Sequence, residues 1–370
     1  MHSRSGRVGC FSLTYLVVMA ALSLAFTAYP IAAAEPIDLP PVVLQMLRND
    51  AVFTDLKLTS EERMQVIDVI DRADGPWWRS RIMQDAQRIA AVQMLTQQVK
   101  SELKAILSPE AFDRVAQLER QSLGTRMFLL EDVITALEIS PTTVERMLAV
   151  IQDIEAARAE LQGRASQGQP SEALEAEKQK LAKRELTSIV GLLTPVQKAK
   201  VKPLTGVQFD FNKVQRTFPR APELLQLPDQ WLQGDPTSLA DLRGQVVAVH
   251  FYAFQCINCQ RNLPHYSAWH TDYADRGLVV IGIQTPETSS EREPAQVAAA
   301  ASREQLQYRV LMDAQSQNWQ AWGTTMWPTV YLIDRQGYIR SWWPGELNWQ
   351  DKPGEQQLRG YIETLLKEPA

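Results

Sequence analysis

Three residues after the apolar run Val246-Val247-Ala248-Val249-His250-Phe251-Tyr252 comes Cys256-Ile257-Asn258-Cys259, opening a stretch of helical character. Two thiols spaced in this way, between a strand and a helix, are the usual placement of a dithiol–disulfide redox pair. The attacking species in disulfide exchange is a thiolate, and an ordinary thiol, with a pKa of about 8.5, is mostly protonated at neutral pH. At a helix N-terminus, unpaired backbone N–H groups and the positive end of the macrodipole favour the anion. Cys256 is therefore the expected nucleophile. Cys259, one turn further in, is the expected resolver, attacking the mixed disulfide at Cys256.

The chain holds 3 cysteines, and the remaining one, Cys10, lies in a segment that reads as a targeting signal. Arg4 and Arg7 form a basic start, Phe11 to Ala28 an uncharged apolar run, and Ala32-Ala33-Ala34 a small-residue cleavage site. Residues 1–34 are thus expected to be a signal peptide, and the mature chain periplasmic or otherwise exported. A retained N-terminal membrane anchor is the alternative. A bridge between cysteines this close in sequence restrains little of the unfolded chain, so a redox role is favoured over a staple.

Two other chemistries compete for the same residues. Cys256, Cys259, His265 and His270 contain enough sulfur and nitrogen ligands for zinc or copper. The gap between the pairs is short for zinc, however, and a helix after Cys259 would aim the two histidines onto different faces. Peroxidase chemistry is disfavoured, because peroxiredoxins need threonine or serine three residues before the reactive cysteine and Ala253 stands there. No cofactor is called for. A composition of 45% hydrophobic and 22% charged residues is that of a globular protein, and a net charge of −5 gives no argument for nucleic acid.

The elements that must position this chemistry fall into two regions. After an extended segment at 35–56, residues 57–211 read as an all-α domain. Thr59 with Glu62, and Thr194 with Gln197, form capping boxes; Ser108-Pro109, Ser140-Pro141 and Thr194-Pro195 place a cap before a first-turn proline. Val92, Leu95, Val99, Leu103 and Ile106 share one helical face, as do Met147, Val150, Ile151 and Ile154. The starts recur: Leu58-Thr59-Ser60 is echoed at Ile139-Ser140-Pro141, and Leu107-Ser108-Pro109 at Leu193-Thr194-Pro195. Offsets of about 80 to 86 residues suggest two helical hairpins packed together. Leu193-Thr194-Pro195-Val196-Gln197 resembles the L-T-x-x-Q motif of periplasmic helical proteins of the Spy and CpxP kind, which implies a client-binding role. A scaffold or self-association domain is the plainer reading.

Residues 212–221 lack periodicity and read as a linker. From Pro222 to the C-terminus strands alternate with helices: strands at Val246–Phe251 and Leu278–Ile283, helices at 258–275 (interrupted by Pro264), 294–305 and 358–366, and a hairpin around Arg335-Gln336-Gly337. With Leu239-Ala240-Asp241-Leu242-Arg243-Gly244, Thr285-Pro286-Glu287 and Trp327-Pro328 before Tyr331-Leu332-Ile333-Asp334, this order resembles the thioredoxin fold. It is similar in particular to exported redoxin domains of the TlpA and DipZ kind. The expected fold class is thus a helical-hairpin repeat domain followed by an α/β thioredoxin-like domain.

The resemblance assigns roles beyond the cysteines. Pro328, with Trp327 before it, matches the proline that the family holds in cis opposite the redox pair, where its loop would meet an extended substrate. His250 stands where thioredoxins carry a buried aspartate. It is expected either to take the proton released as Cys259 attacks or to be a hydrogen-bonded core histidine. The implied partners are protein disulfides or dithiols and a membrane electron donor, with reduction the expected direction. Gln255, Asn262 and the Ile257-Asn258 pair depart from the family pattern, so no potential is carried over. Six of the ten tryptophans lie between Trp319 and Trp349, and either a client surface or core packing accounts for them.

Overall fold

In the computed structural model, the structure describes residues 38–166 and 171–369. The expected signal peptide lies outside them. The stretch expected to be extended instead forms two short helices, α1 (Val42–Met46) and α2 (Asp50–Asp55). Val43, Leu44, Met46, Leu47, Val52 and Phe53 are all buried, and helical turns are what direct them into one apolar cluster with the helices that follow.

Those helices are α3 (Ser60–Ser80), α4 (Asp85–Ile106), α5 (Pro109–Leu123), α6 (Glu131–Leu137), α7 (Pro141–Ser166), α8 (Ser171–Gly191) and α9 (Pro195–Thr205). Four of the starts are set by local caps. The Thr59 and Thr194 hydroxyls accept from the backbone N–H of Glu62 and Gln197, whose side chains return the bond. Ser108 and Ser140 accept from Ala111 and Thr143. Two apolar clusters stack along the region. The first joins α1 to α5 with Phe209. The second gathers Met127, Phe128, Leu129, Val133 and Leu137 with Met147 of α7 and Ile189 of α8.

The rest is an α/β domain: β1 (Trp231–Gln233), β2 (Val246–Tyr252), α10 (Ile257–Tyr273), β3 (Leu278–Gln284), α11 (Pro294–Arg303), β4 (Arg309–Met312), α12 (Gln317–Ala321), β5 (Thr329–Ile333), β6 (Ile339–Pro344) and α13 (Gly354–Lys367). The strands form one mixed sheet in the order β1-β4-β3-β2-β5-β6. The central β2, β3 and β4 run parallel; β5 is antiparallel to β2, with Phe251 opposite Thr329 and His250 opposite Val330. Both β2 and β3 are buried along their whole length, as suits central strands covered on two faces. The interruption expected at Pro264 does not occur. One backbone bond is lost there, but Leu263, Tyr266, Trp269 and Tyr273 are buried against the sheet and hold α10 continuous.

The two sheet faces are covered differently. Val246, Ala248 and Tyr252 face a core built with α10, α11 and α13. Val247, Val249 and Phe251 face a second core that contains Trp322, Leu224, Leu239 and, from the helical region, Trp78. Residues 212–221, expected as a linker, are pinned on both sides. Gln215 N–H donates to Asn49 (2.7 Å) and Arg220 N–H to Asp74 (2.6 Å), while the Arg220 guanidinium reaches the Tyr338 hydroxyl (3.2 Å).

Candidate functional site

The end of β2 places Cys256 as the N-cap of α10, and Cys259 falls in the first turn. Cys256 is partly exposed, Cys259 is fully buried, and the two are not bonded to each other. The Cys259 thiol hydrogen-bonds the Cys256 sulfur, which also faces the N–H groups of Cys259 and Asn258. Together these outweigh partial burial and the Glu287 charge and lower Cys256 to about 7. Cys259 is held well above the usual thiol range by that same bond and by burial. Its sulfur accepts from Ala253 N–H at 3.5 Å. The pair is electrostatically divided into one sulfur ready to ionise and one kept protonated.

The loop after β3 holds this turn. Glu291, fully buried, is the residue that the sequence did not single out. Its carboxylate accepts from the backbone N–H of Gln255 (2.8 Å), Glu287 (2.7 Å) and Thr288 (2.8 Å), tying the residue before Cys256 to the loop after β3. Asp313 does likewise for α12, accepting from the N–H groups of Asn318 and Trp319 and from the Thr285 hydroxyl. Neither acid lies on a periodic face, and a single loop carboxylate leaves no pattern by which sequence could single it out.

The Trp327–Pro328 peptide bond is cis, as the resemblance implied. Since Phe251 pairs with Thr329, Pro328 stands beside the end of β2, on the approach to Cys256. Trp327 packs against the cluster that contains Cys259, donates its indole N–H to the Thr285 carbonyl (3.1 Å), and stacks on Trp319 at 4.1 Å. The structure thus brings Cys256, Cys259 and Trp327 into one cluster, with Pro328 beside the end of β2.

His250 lies one layer below, on the same sheet face as Tyr252. It is fully buried and stacked on Tyr266 at 4.2 Å, and Gly282 opposite makes room for it, since a Cβ there would sit 2.9 Å from Nε2. Neither ring nitrogen has a hydrogen-bond partner among the described residues, so it is not the bonded core histidine expected. Burial lowers its pKa to about 3. Around it, Tyr252 and Tyr266 are held well above the usual phenol range by burial.

The bonds of Asn262 call for an amide at this position. Its Nδ2 donates to the Tyr266 hydroxyl (3.0 Å) and the Gly345 carbonyl (3.3 Å), and its Oδ1 accepts from Leu347 N–H (3.1 Å). A carboxylate could accept but not donate there. The competing metal set is not assembled: among the described residues no group of three or more His, Cys, Asp and Glu side chains could hold a metal ion. His265 Nε2 instead lies 3.4 Å from Asn348, and His270 packs edge-on to Tyr308.

A central parallel sheet, a redox-spaced dithiol opening a helix and a cis proline beside it define a thioredoxin-like protein. The model of the AhpC/TSA family matches residues 219–342. The DipZ proteins of Mycobacterium tuberculosis and Mycobacterium bovis are 42% identical over 105 residues, 28% of this chain and 15% of theirs. The thioredoxin-like protein YneN of Bacillus subtilis is 31% identical over 118 residues, 31% of this chain and 67% of that one. A solved thiol-disulfide isomerase from Corynebacterium glutamicum aligns at 23% identity over 40% of this chain and 97% of that one, with a TM-score of 0.34. Through its C-terminal domain the chain belongs to the thioredoxin-like family. It spans about 15% of the length of the DipZ relatives, and the residues matched by the family model lie after the helical region.

Proposed function

We propose that the chain is an exported thiol–disulfide oxidoreductase that reduces disulfides in envelope proteins through Cys256 and Cys259. The division between the two sulfurs carries this reading: an accessible Cys256 near pKa 7 beside a buried, protonated Cys259. In the reductive direction the Cys256 thiolate attacks a client disulfide and expels one client thiolate. Cys259 then loses its proton and attacks Cys256, releasing the second client thiol and leaving the Cys256–Cys259 disulfide. Trp327 and Pro328 present the neighbouring backbone to the client. With a pKa of about 3, the His250 imidazole is a poor base for a thiol, so it supports the pair by packing and not by holding the proton. A membrane dithiol donor would re-reduce the pair.

Export rests on the basic, apolar and small-residue order of residues 1–34. Among the described residues, no helix is long and apolar enough to cross a membrane. The division at 212–221 and the duplication of the helical region belong to the same reading, supported by the matching caps at Thr59 and Ser108 and at Ser140 and Thr194. Self-association through the helices is part of it too. A second reading, an interaction protein acting through the helical region, draws on exposed apolar side chains such as Met64, Met94 and Val196. The reduction potential of the Cys256–Cys259 couple tests the direction. A value near that of thioredoxin (about −270 mV) supports a reductant, and one near −120 mV would reverse the assignment.

A further inference from the structure

A stripe of α3 touches the sheet domain, beside Arg48, whose guanidinium lies over the Tyr338 ring at 5.5 Å. Asp71, Asp74, Trp78 and Arg81 recur at helical spacing, and all four bond beyond the helix. At the near end, Asp74 and Asp71 hold the Arg220 backbone and guanidinium, and that guanidinium lies over the Tyr338 ring at 4.7 Å. At the far end, Trp78 enters the second core, edge-on to Tyr331 (6.1 Å) and Trp342 (5.0 Å).

The far end reaches the segment that leads to the cis proline. Trp322 and Gly323 follow α12, where carbonyls have no helical partner of their own. Trp78 Nε1 donates to the Trp322 carbonyl (2.9 Å), and Arg81 Nη2 donates to the carbonyls of Trp322 (3.1 Å) and Gly323 (2.9 Å). The same Nη2 lies 3.3 Å from the Tyr331 hydroxyl on β5, the strand that begins just past Pro328. The approach is close: a Cβ on Gly323 would sit 3.0 Å from Arg81 Nη1. Four residues, Thr324 to Trp327, then separate Gly323 from Pro328. Both flanks of that span are held by α3, while Trp319 of α12 stacks on Trp327.

We propose that Arg81, assisted by Trp78, is a positioning residue through which the helical region fixes the Trp327–Pro328 loop for protein substrates. This rests on the redox reading above, and it gives the helical region a part in client recognition at a distance from the sulfurs. A protein disulfide needs the loop as a docking edge, whereas a small disulfide needs only the Cys256 sulfur.

The test uses the full chain with two substrates, insulin and dithiobis(nitrobenzoate). Arg81→Met removes charge-assisted hydrogen bonds and should raise KM for insulin about tenfold, with kcat and the small-disulfide rate within about twofold of the unsubstituted chain. Arg81→Lys, which restores a cation, should recover most of that loss, and Trp78→Phe, which keeps a ring but loses the N–H, should raise KM by about threefold. If Arg81→Met fails to unfold cooperatively, the Trp78→Phe value decides in its place. Unchanged KM in the folded Arg81→Met or Trp78→Phe variant, or equal losses toward both substrates, would overturn the assignment. Inactivity of the unsubstituted chain toward both disulfides would instead remove the redox reading, and this inference with it.

Discussion

The helical region and the sheet domain are built by opposite means. In the helical region α3, α5, α7 and α9 are each started by a hydroxyl cap a few residues from the backbone it serves, and many of the region's ion pairs lie at the surface, as with Arg72–Asp68 and Arg184–Asp153. Such pairs contribute little to stability. In the sheet domain the decisive bonds cross long stretches of chain: Glu291 to Gln255, Asn262 to Leu347, Asn318 to Leu225. The reactive sulfurs sit where the long-range bonds converge. Local devices suffice to make a scaffold and to aim the N–H groups of Asn258 and Cys259 at the Cys256 sulfur, whereas holding that turn in place takes remote bonds such as Glu291 to Gln255.

The sharpest separation between the regions comes from the cysteines. Cys256→Ser should reduce disulfide exchange to the uncatalysed background, and Cys259→Ser should accumulate a mixed disulfide with client, visible by mass spectrometry. Helical content by circular dichroism should stay unchanged in both. A Cys256→Ser variant with measurable exchange would break the contrast at once.

The seam comes next. Asp74 is 1% exposed and Arg48 7%, and Asp74 also accepts from Arg220 N–H, so Asp74→Ala leaves the Arg48 guanidinium with Asp71 alone and a backbone donor unpaired. The expected loss is about 2–3 kcal/mol in urea unfolding. A change below about 1 kcal/mol would show that the regions are stable without their joint.

Acid should weaken the sheet domain. Burial lowers His250 to about 3, below its unfolded value of about 6.5, so between these pH values the unfolded chain binds a proton that the folded chain does not. Its contribution is intact above 6.5 and is lost as pH falls toward 3, by up to about 1.4 kcal/mol per pH unit. His250→Phe should flatten this slope relative to the native chain while retaining exchange activity. A parallel slope in the variant would place the acid sensitivity elsewhere. The smallest effect belongs to the helical region: Thr194→Ala should cost about 1 kcal/mol through loss of the cap, with no change in exchange rate.

Legibility followed the same divide. The caps at Thr59, Ser108, Ser140 and Thr194, the buried central strands and the Cys256–Cys259 turn could be read because each is written within a few adjacent residues. Residues 35–56 misled because their apolar positions fall in pieces of five and six residues, too short to show a helical period. Pro264 suggested a break that burial of the α10 face overrides. The stripe of α3 that meets the sheet domain was hidden in a helix whose other apolar positions, Val66, Val69, Ile70 and Ala73, already explain its pattern. Glu291 and the amide role of Asn262 depend on partners that only the folded chain brings near.

The most direct measurement is the pH profile of iodoacetamide alkylation in the native full-length chain, read cysteine by cysteine. Cys256 should react with a midpoint near 7 while Cys259 stays unmodified until the protein is unfolded. At pH 6 this gives about thirtyfold more thiolate than an ordinary cysteine, offset about fivefold by the weaker nucleophilicity of a more acidic thiol. A Cys256 midpoint at or above about 8.5, or reaction of both sulfurs only after denaturation, would contradict a redox site at this turn.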